Sequence, residues 1–253
     1  MYQRLIIMRI IKFISIIFII FSCKKTSKNP VVVTSTDEVN FTSIGQPIGK
    51  LGKGVVDIDA NAYKTVIIGT QEWMAENLNV SKYNDGTPIP NVSDTSKWFK
   101  LESNAWMNNR PKAYDNMKYG KLYNGFVVDS TLNGNKNVCP TGWHIPSDQD
   151  WTILSDHLGG ANVAVKMKEV GEKHWKLNKN ATNASLFTAL PAGVLYDTND
   201  SSFTVGNYTA WWSSTKFVFN IFYVIRSFSD NEPFLENTQA SNLSGLSIRC
   251  IKD

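Results

Sequence analysis

One stretch of thirteen residues, CPTGWHIPSDQDW at positions 139–151, contains the residue types that acid–base and metal chemistry need. His144 could act as a general base or as a metal ligand, with Asp148 and Asp150 as its carboxylate partners. A metal site also needs a second ligand at a workable spacing. The other two histidines lie 13 and 30 residues after His144 and form neither an H-x3-H nor an H-E-x-x-H pattern. The stretch therefore predicts neither a catalytic site nor a metal site.

Asp148 and Asp150 have a structural explanation as helix caps. Ser147 followed three residues later by Asp150 predicts a capping box, and acids in the first turn interact favourably with the helix dipole. An apolar stripe follows and ends at Gly159-Gly160; its members are Trp151, Ile153, Leu154 and Leu158. A second helix is predicted from about residue 161 to Gly171, with Val163, Met167 and Val170 on one face. We interpret both acids as caps, with catalysis as the less favoured alternative.

Other residues with chemical potential also have simpler structural interpretations. Ser213-Ser214 could contain a nucleophile, but no G-x-S-x-G elbow surrounds the pair, and we interpret it as a polar turn that ends a strand. Clusters of Asp and Asn at residues 57–61, 84–86 and 197–200 offer oxygen ligands for Ca²⁺, but none has EF-hand spacing. Such clusters commonly form turns. We expect no cofactor and no metal, with calcium as the minority alternative.

Two tryptophans, Trp98 and Trp106, stand out in the polar, loop-like segment 91–118, which also contains Phe99 and Tyr114. Flat aromatic faces flanked by asparagines suit sugar rings, which stack on tryptophan and form hydrogen bonds with amides. In the alternative, both tryptophans fill the core beneath the loop. We predict that Trp98 and Trp106 line a partner-binding surface.

The first 22 residues predict a signal peptide, in which basic residues precede an apolar run at residues 13–21. That run is shorter than the about 20 residues of a membrane-spanning helix. It ends at Ile20-Phe21-Ser22-Cys23, which resembles a bacterial lipobox. We expect Cys23 to be lipidated and to become the mature N-terminus; the alternative is an ordinary buried cysteine after a short apolar anchor. Translation from Met8 would leave a compact signal of conventional shape.

The charge of the mature chain excludes one class of partner. Removal of residues 1–22, which contain Arg4, Arg9 and Lys12 but no acid, lowers the formal net charge from +4 to +1. Nucleic-acid binding requires a dense cationic face, so we expect no nucleic-acid partner. Residues 23–53 are rich in Ser, Thr, Asn and Gly and predict a flexible tether behind the lipid. Residues 54–253 have the length of a single domain with a full core.

The two remaining cysteines, Cys139 and Cys250, are predicted to form a disulfide, because leftover cysteines in an envelope protein most often pair. The bond would close a loop of about 110 residues, which the chain-entropy model values at about 4–5 kcal/mol. Two separate buried thiols are the alternative.

The strand pattern predicts an α+β domain. Short β-rich runs at residues 55–58, 62–68 and 72–76 predict a meander, and two strand candidates within residues 119–128 are separated by Asn124-Gly125. The aromatic and β-branched run 216–227 predicts a central strand that is buried on both sides. The alternating run 246–250 predicts a closing strand with Cys250 on its apolar face.

Seven segments, in chain order, form a characteristic set: DIDANAYKTVIIGTQEWMAENLNVSKYNDGTPIP, YGKLYN, VCPTGWHIPSDQDW, LGG, FTALPAG, WWSST and LSIRC. Together they resemble the Fibrobacter succinogenes major paralogous domain, which occurs in envelope proteins of Bacteroidetes and Fibrobacteres. The resemblance runs from about residue 55 to residue 253 and departs from the usual pattern at Ala60 and Gly125. It implies an envelope location and a shared fold, but no reaction, since the biochemical role of the family is undefined.

A more distant similarity concerns the fold. Residues 143–151 and the closing Arg249-Cys250 are similar to formylglycine-generating enzymes, which have a C-type-lectin-like fold. That fold comprises small twisted antiparallel sheets, two helices and long irregular loops, and we expect it here. The similarity does not imply the activity, since those enzymes use two reactive cysteines in their C-terminal part and only Cys250 lies there in this chain.

We therefore expect a non-enzymatic outer-membrane lipoprotein that binds a glycan, a protein or a wall component, with the lipid at Cys23 as its link to the membrane. One alternative is a glycan-active enzyme whose carboxylates come from distant loops. Another is a purely structural lipoprotein. The residues after Cys23 include three lysines and no acid within the first five, so the periplasmic and surface sides of the membrane both stay open.

Overall fold

The computed structural model describes residues 47–108, 119–196, 205–217 and 221–253. Its largest sheet contains β1 (Lys50–Leu51), β4 (Thr65–Ile68), β5 (Gln71–Met74), β8 (Trp143–His144) and β12 (Ile251–Lys252). These five strands are arranged in the order β1, β4, β5, β12, β8, and every neighbouring pair is antiparallel. The sheet thus joins the beginning of the described chain to its end.

A second sheet has three longer strands, β9 (Tyr208–Lys216), β10 (Phe222–Ser229) and β11 (Glu236–Ser241), with β10 in the middle. All positions of β10 except its two ends are buried, as expected for a central strand. The predicted single strand over residues 216–227 is wrong at its start. Lys216 ends β9, the Phe217 N–H donates to the Phe222 carbonyl at 2.7 Å, and the central strand begins at Phe222.

Two small antiparallel pairs complete the β structure of the described residues: β2 (Val55–Val56) with β3 (Ala62–Tyr63), and β6 (Trp106–Asn108) with β7 (Lys121–Tyr123). The predicted meander over residues 55–76 is instead two hairpins, because β3 and β4 belong to different sheets. The second strand predicted within residues 119–128 is also wrong, since Gly125–Val128 forms a helical turn. An apolar run this short does not distinguish a strand from a helix.

The described residues contain four helices, α1 (Thr95–Trp98), α2 (Gly125–Val128), α3 (Asp148–His157) and α4 (Val163–Met167). The capping box predicted for α3 is confirmed: the Ser147 N–H donates to Asp150 Oδ2 at 2.8 Å, and the Asp150 N–H donates to Ser147 Oγ at 3.2 Å. Gly159 and Gly160 follow the helix with positive φ angles, as the prediction required. Within the described ranges, no helix is long and apolar enough to cross a membrane.

Two members of the predicted helical stripes are placed differently by the fold. Ile153 of α3 is exposed. Val170 is also exposed, because α4 ends at Met167 and Val170 therefore lies beyond the helix. The other members, among them Trp151 and Leu154, are fully buried.

One core cluster packs α3 and α4 against strands of both larger sheets. Its centre is aromatic: the ring centroid of Trp151 lies 4.7 Å from that of Trp73 on β5 and 5.7 Å from that of Trp211 on β9. Phe187, from the segment between α4 and β9, contacts all three rings at about 6 Å. Strands of both larger sheets therefore pack against the same hydrophobic core. The combination of antiparallel sheets and short helices confirms the α+β class.

The closing segment is held by the predicted disulfide, Cys139–Cys250, whose Cα atoms lie 5.9 Å apart. The predicted strand over residues 246–250 is extended but irregular. Leu246 and Ser247 form isolated bridges to Tyr123 and Trp211, and regular pairing begins only at Ile251. The segment therefore crosses the fold and contacts several elements in turn.

Candidate functional site

A groove with a cavity of about 620 Å³ lies along β11, an edge strand of the three-stranded sheet. We call it the β11 groove and define it by six side chains, which are Tyr196, Tyr208, Phe234, Glu236, Asn237 and Gln239. The aromatic members come from three separate segments of the chain. The polar members come from β11 itself, which has a neighbouring strand on one side only and exposes three consecutive residues from Asn237 to Gln239.

The aromatic part of the groove combines an exposed ring with two half-buried tyrosines. Phe234 is 43% exposed and directly follows Pro233 in the loop between β10 and β11. Tyr196 and Tyr208 share a hydrogen bond, and burial, assisted by Tyr208 and Glu236, raises the pKa of Tyr196 well above its ordinary value. The Tyr196 hydroxyl therefore stays neutral at physiological pH, where it can both donate and accept a hydrogen bond.

The polar part of the groove is oriented by the first turn of α3. Asn237 Nδ2 donates to Asp148 Oδ1 at 3.2 Å, and the same oxygen accepts from Arg226 Nε at 3.0 Å. Arg226 lies buried on β10 and also donates to Thr152 Oγ1 at 2.8 Å. Asp148, considered above as a cap or a catalytic acid, thus forms an ion pair that fixes the neighbouring amide. Its carboxylate is occupied by structural contacts.

These groups suit a ligand whose ring has an apolar face and hydroxyl groups around its edge. Aromatic rings pack against such faces, while amide side chains and neutral hydroxyls can donate and accept hydrogen bonds in the same plane. Glu236 is the one carboxylate among the described residues that line the groove, and its Oε2 already accepts from Ser227 Oγ at 2.9 Å. The arrangement resembles a recognition surface for a polyhydroxylated molecule.

A second cavity, of about 360 Å³, adjoins the same β10–β11 loop. Lys168 lines it, and its buried ammonium donates to the carbonyl groups of Ser229, Asp230 and Glu232, the last two at 3.3 Å. Burial lowers the pKa of Lys168 to about 8, against the opposing influence of Asp230 and Glu232. The ammonium group therefore supports the loop that carries Phe234 into the β11 groove.

His144 lies at the surface beside two acids. Its Nδ1 lies 2.6 Å from Asp253 Oδ1, and its Nε2 lies 3.7 Å from Asp150 Oδ2, which belongs to the capping box. Exposed pairs of this kind contribute little to stability. Ser213 and its neighbour do not form the predicted turn, because both lie within β9, where the buried Ser213 Oγ donates to the Val224 carbonyl at 2.8 Å.

The two predicted ligand-binding tryptophans differ in their surroundings. Trp98 is 0% exposed, and its indole N–H donates to the Leu243 carbonyl at 2.7 Å, so the prediction that it lines a partner-binding surface is wrong. It fills the core beneath the polar loop. Trp106 is half-buried, with the Lys121 ammonium 4.5 Å from its ring centroid, and its role in binding stays a prediction. Residues 109–118 of this segment lie outside the described residues.

Two of the three acidic clusters considered as calcium ligands form turns. Asp57 Oδ1 accepts from the N–H groups of Asp59 and Asn61 at 2.9 and 3.0 Å, and Asp85 Oδ1 accepts from the Thr87 N–H at 2.8 Å. The third cluster, residues 197–200, lies outside the described residues. In the part of the chain that the structure describes, no three His, Cys, Asp or Glu side chains are grouped so as to hold a metal ion. Calcium binding stays an untested alternative.

None of the six residues that define the β11 groove was predicted as a site from the sequence. The polar run Glu236-Asn-Thr-Gln239 directly after Pro233-Phe234 is the available signal, and its amides lower the apparent strand propensity. Tyr196 and Tyr208 lie far from this run in sequence. Only the tertiary fold brings them beside β11.

Comparison with known proteins gives one match. A family model described as the Fibrobacter succinogenes major domain matches residues 66–252. No match was found among curated proteins or among solved structures.

Proposed function

This chain belongs to the Fibrobacter succinogenes major domain family, and we propose that it is a non-enzymatic, lipid-anchored envelope protein that binds a glycan in the β11 groove. The observation that carries the proposal is the groove itself. An exposed Phe234 and two half-buried tyrosines face a strand that presents Asn237 and Gln239 to solvent. Ring faces flanked by amides are what sugar recognition requires.

The structural support for the domain is, in our proposal, a C-type-lectin-like fold. Small antiparallel sheets, the helices α3 and α4 between strand groups, and long irregular connections are compatible with it. The closing segment tied by Cys250 is compatible as well. In such a scaffold the sheets and helices form the frame, and recognition belongs to loops and edges.

Anchoring forms the second part of the proposal. A lipid on Cys23 would attach the protein to the outer membrane, and residues 24–46 would be the tether. The predicted tether boundary at residue 53 is too late, because Ile48 and β1 (Lys50–Leu51) already form hydrogen bonds with the domain. Cys23 lies outside the described residues, so the support comes from the lipobox-like sequence. Metabolic labelling with a fatty-acid probe should mark the wild-type protein and fail to mark Cys23→Ala; equal labelling of both would contradict lipidation.

A glycan array tests the ligand proposal directly. The purified lipoprotein in detergent is applied to envelope and extracellular polysaccharides, and the affinity for the best ligand is measured for Phe234→Ala and Asn237→Ala. We expect each change to weaken binding about tenfold or more, equivalent to about 1.4 kcal/mol. Phe217→Ala is the matched control, because Phe217 is a similarly exposed aromatic residue outside the groove. Mass spectrometry of the recovered glycan should show it intact.

Trp106→Ala separates this proposal from the site predicted from the sequence. If binding is lost in Trp106→Ala and retained in Phe234→Ala, the ligand contacts the Trp106 surface and the β11 groove is not the site. Glycan binding that survives all three changes would contradict recognition at either surface. The absence of binding to every glycan tested would contradict glycan recognition and favour a protein partner or a structural role.

A further inference from the structure

An apolar surface lies where the described chain begins. Its residues are distant in sequence from those that define the β11 groove. Leu51 is 73% exposed, Val56 is 59% exposed and Ile58 is 44% exposed. Isolated exposed aliphatic residues are common on soluble domains, but a group of them marks an interaction surface. We call this group of three residues the entry surface.

The entry surface includes a groove as well as protruding side chains. A cavity of about 660 Å³ is lined by Leu51, Val55 and Val56, and by Ala62 and Tyr63 of the paired strand. Val56 also lines the adjoining cavity together with Ile58, so the exposed aliphatic residues form a continuous group. Such a surface can accept apolar chains against its exposed side chains.

Basic residues surround the entry surface. Lys50, Lys53 and Lys64 are all exposed, and among the described residues none of them forms an ion pair. The acids nearby have other contacts. Glu72 pairs with Lys252 at 2.8 Å and Asp59 pairs with Lys82 at 3.0 Å. Asp57 is buried and accepts hydrogen bonds, and Glu76 Oε2 accepts from the Lys64 backbone N–H at 2.7 Å. Aliphatic side chains bordered by free ammonium groups are complementary to the acyl chains and phosphates of a lipid surface.

The path of the chain indicates which surface this is. The described residues begin at Pro47, and the Ile48 N–H donates to the Ala184 carbonyl at 2.7 Å, which fixes the entry point beside Leu51. The segment that contains Cys23 therefore joins the domain at this surface. A lipid on Cys23 would confine the entry point to within a short tether of the bilayer.

We propose that the entry surface rests on the phospholipid bilayer, with Leu51, Val56 and Ile58 in the interface and the three lysines at the phosphate level. This inference depends on the lipid anchor of the proposed function and not on the identity of any glycan. It gives the domain a preferred orientation on the membrane, which a flexible tether by itself would not impose. The contact is individually weak, and the anchor makes it effective by raising its local concentration.

Site-specific fluorescence tests the contact. Full-length lipoprotein is isolated from the envelope, reconstituted into vesicles of phosphatidylethanolamine and phosphatidylglycerol, and labelled at Leu51→Cys with an environment-sensitive dye. Leu51 is exposed, so the change leaves the core intact. We expect a blue-shifted emission that is quenched by brominated lipids. Ile153→Cys is the matched control, because Ile153 is an exposed aliphatic residue on α3, and its label should stay unquenched.

A second arm tests the charges. Changing Lys50, Lys53 and Lys64 together to Gln should reduce the quenching at position 51 in phosphatidylglycerol vesicles, and raising the salt concentration should do the same for the wild-type lysines. Quenching that is insensitive to both changes would overturn the role of the lysines and leave only the apolar contact.

The outcomes distinguish the anchor from the contact. Protein retained on the vesicles with a quenched label at position 51 supports the inference. Retained protein with an unquenched label at position 51 overturns the contact and leaves the anchor standing. Crosslinks between position 51 of two copies, with no quenching, would assign the surface to a second copy and likewise overturn it. Wild-type protein recovered in the soluble fraction would overturn both.

Discussion

Arg249 and Lys168 are two buried cations in very different surroundings. Each donates to backbone carbonyl groups, lies over an aromatic ring and makes no direct ion pair with a carboxylate of the described residues. Arg249 is enclosed in the core, where its Nη2 donates to Asn77 Oδ1 at 2.9 Å and its guanidinium stacks 4.2 Å from the Phe187 ring centroid. Lys168 instead lines a cavity of about 360 Å³.

The difference shows that burial does not by itself decide what a cation does. A guanidinium group has five donors in one plane, so it can be enclosed once its donors have partners. Burial lowers the pKa of Arg249 to about 9, which leaves the group charged at pH 7. An ammonium group changes its protonation more readily when it is buried. Arg249 therefore acts as a fixed connection between the closing segment and the core, whereas Lys168 is a titratable support for the loop beside the β11 groove.

The largest effect is expected from Arg249→Met. The change leaves Asn77 Oδ1 and the Phe187 carbonyl with fewer donors in the core, and it removes a stacked group. We expect a loss of about 3–5 kcal/mol in the free energy of unfolding. Thermal and urea unfolding measure it. A loss below about 1 kcal/mol would show that the core tolerates an apolar replacement there and that Arg249 is not the essential connection.

Removal of the neighbouring disulfide shows how far the enclosure of Arg249 depends on a covalent link. We expect the double variant Cys139→Ala/Cys250→Ala to lose about 2–5 kcal/mol, because the unfolded chain regains the freedom of a long loop. Alkylation under denaturing conditions without reductant should find no free thiol in that pair of the wild-type protein. Two modified thiols there would contradict the bond.

Lys168→Met should cost less, about 1–2 kcal/mol at pH 7. The variant removes donors from three carbonyl groups, but it also removes the unfavourable burial of a charge, and the two effects partly cancel. The carbonyl groups also lie beside a cavity that water can enter. A loss as large as that of Arg249→Met would remove the distinction between the enclosed cation and the accessible one.

The smallest effect is a pH dependence that distinguishes the wild-type protein from Lys168→Met. Burial also lowers the pKa values of Arg249 and Lys121, but both groups are present in both proteins. The pKa of Lys168 is lowered from the ordinary value of 10.5 to about 8, so below pH 8 both the folded and the unfolded states bind the proton. Above pH 8 the folded state loses the proton first, and the unfolding free energy of the wild-type protein should rise relative to Lys168→Met. The limiting slope is about 1.4 kcal/mol per pH unit.

Urea unfolding of both proteins between pH 7 and about pH 9.5 measures this difference. Buried tyrosines with raised pKa values, such as Tyr196, act in the opposite direction only near and above their ordinary pKa of about 10. They are present in both proteins and cancel in the comparison. Parallel stability curves across this range would show that Lys168 keeps its proton in the folded state and is not a titratable support.

Local patterns predicted the elements whose signals lie within a few residues. The Ser147–Asp150 capping box and the glycines after α3 were identified correctly, because a cap is a contact between near neighbours. The run 216–227 and the segment Gly125–Val128 were assigned incorrectly. Apolar and β-branched composition marks burial, but it does not locate a hairpin or distinguish a helical turn from a short strand.

The candidate site shows the limit of the same reasoning. The polar neighbours of Trp98 in sequence predict an exposed side chain, yet it is fully buried. The groove residues around Phe234 have no local signal for the complete groove, because their partners, Tyr196 and Tyr208, lie well before them in the chain. Sequence context describes the neighbours along the backbone, whereas a binding surface depends on neighbours in space.

The sequence by itself determined the α+β class, the helix that begins at Asp148 and the pairing of Cys139 with Cys250, since these follow from local periodicity, capping and the number of cysteines. Only the tertiary structure decided which aromatic rings meet solvent. Trp98 is covered because the carbonyl of Leu243, 145 residues away, accepts its indole N–H, while Phe234 stays exposed at the edge of a sheet. Accessibility is a property of what packs over a side chain, and those atoms come from segments that no local pattern connects.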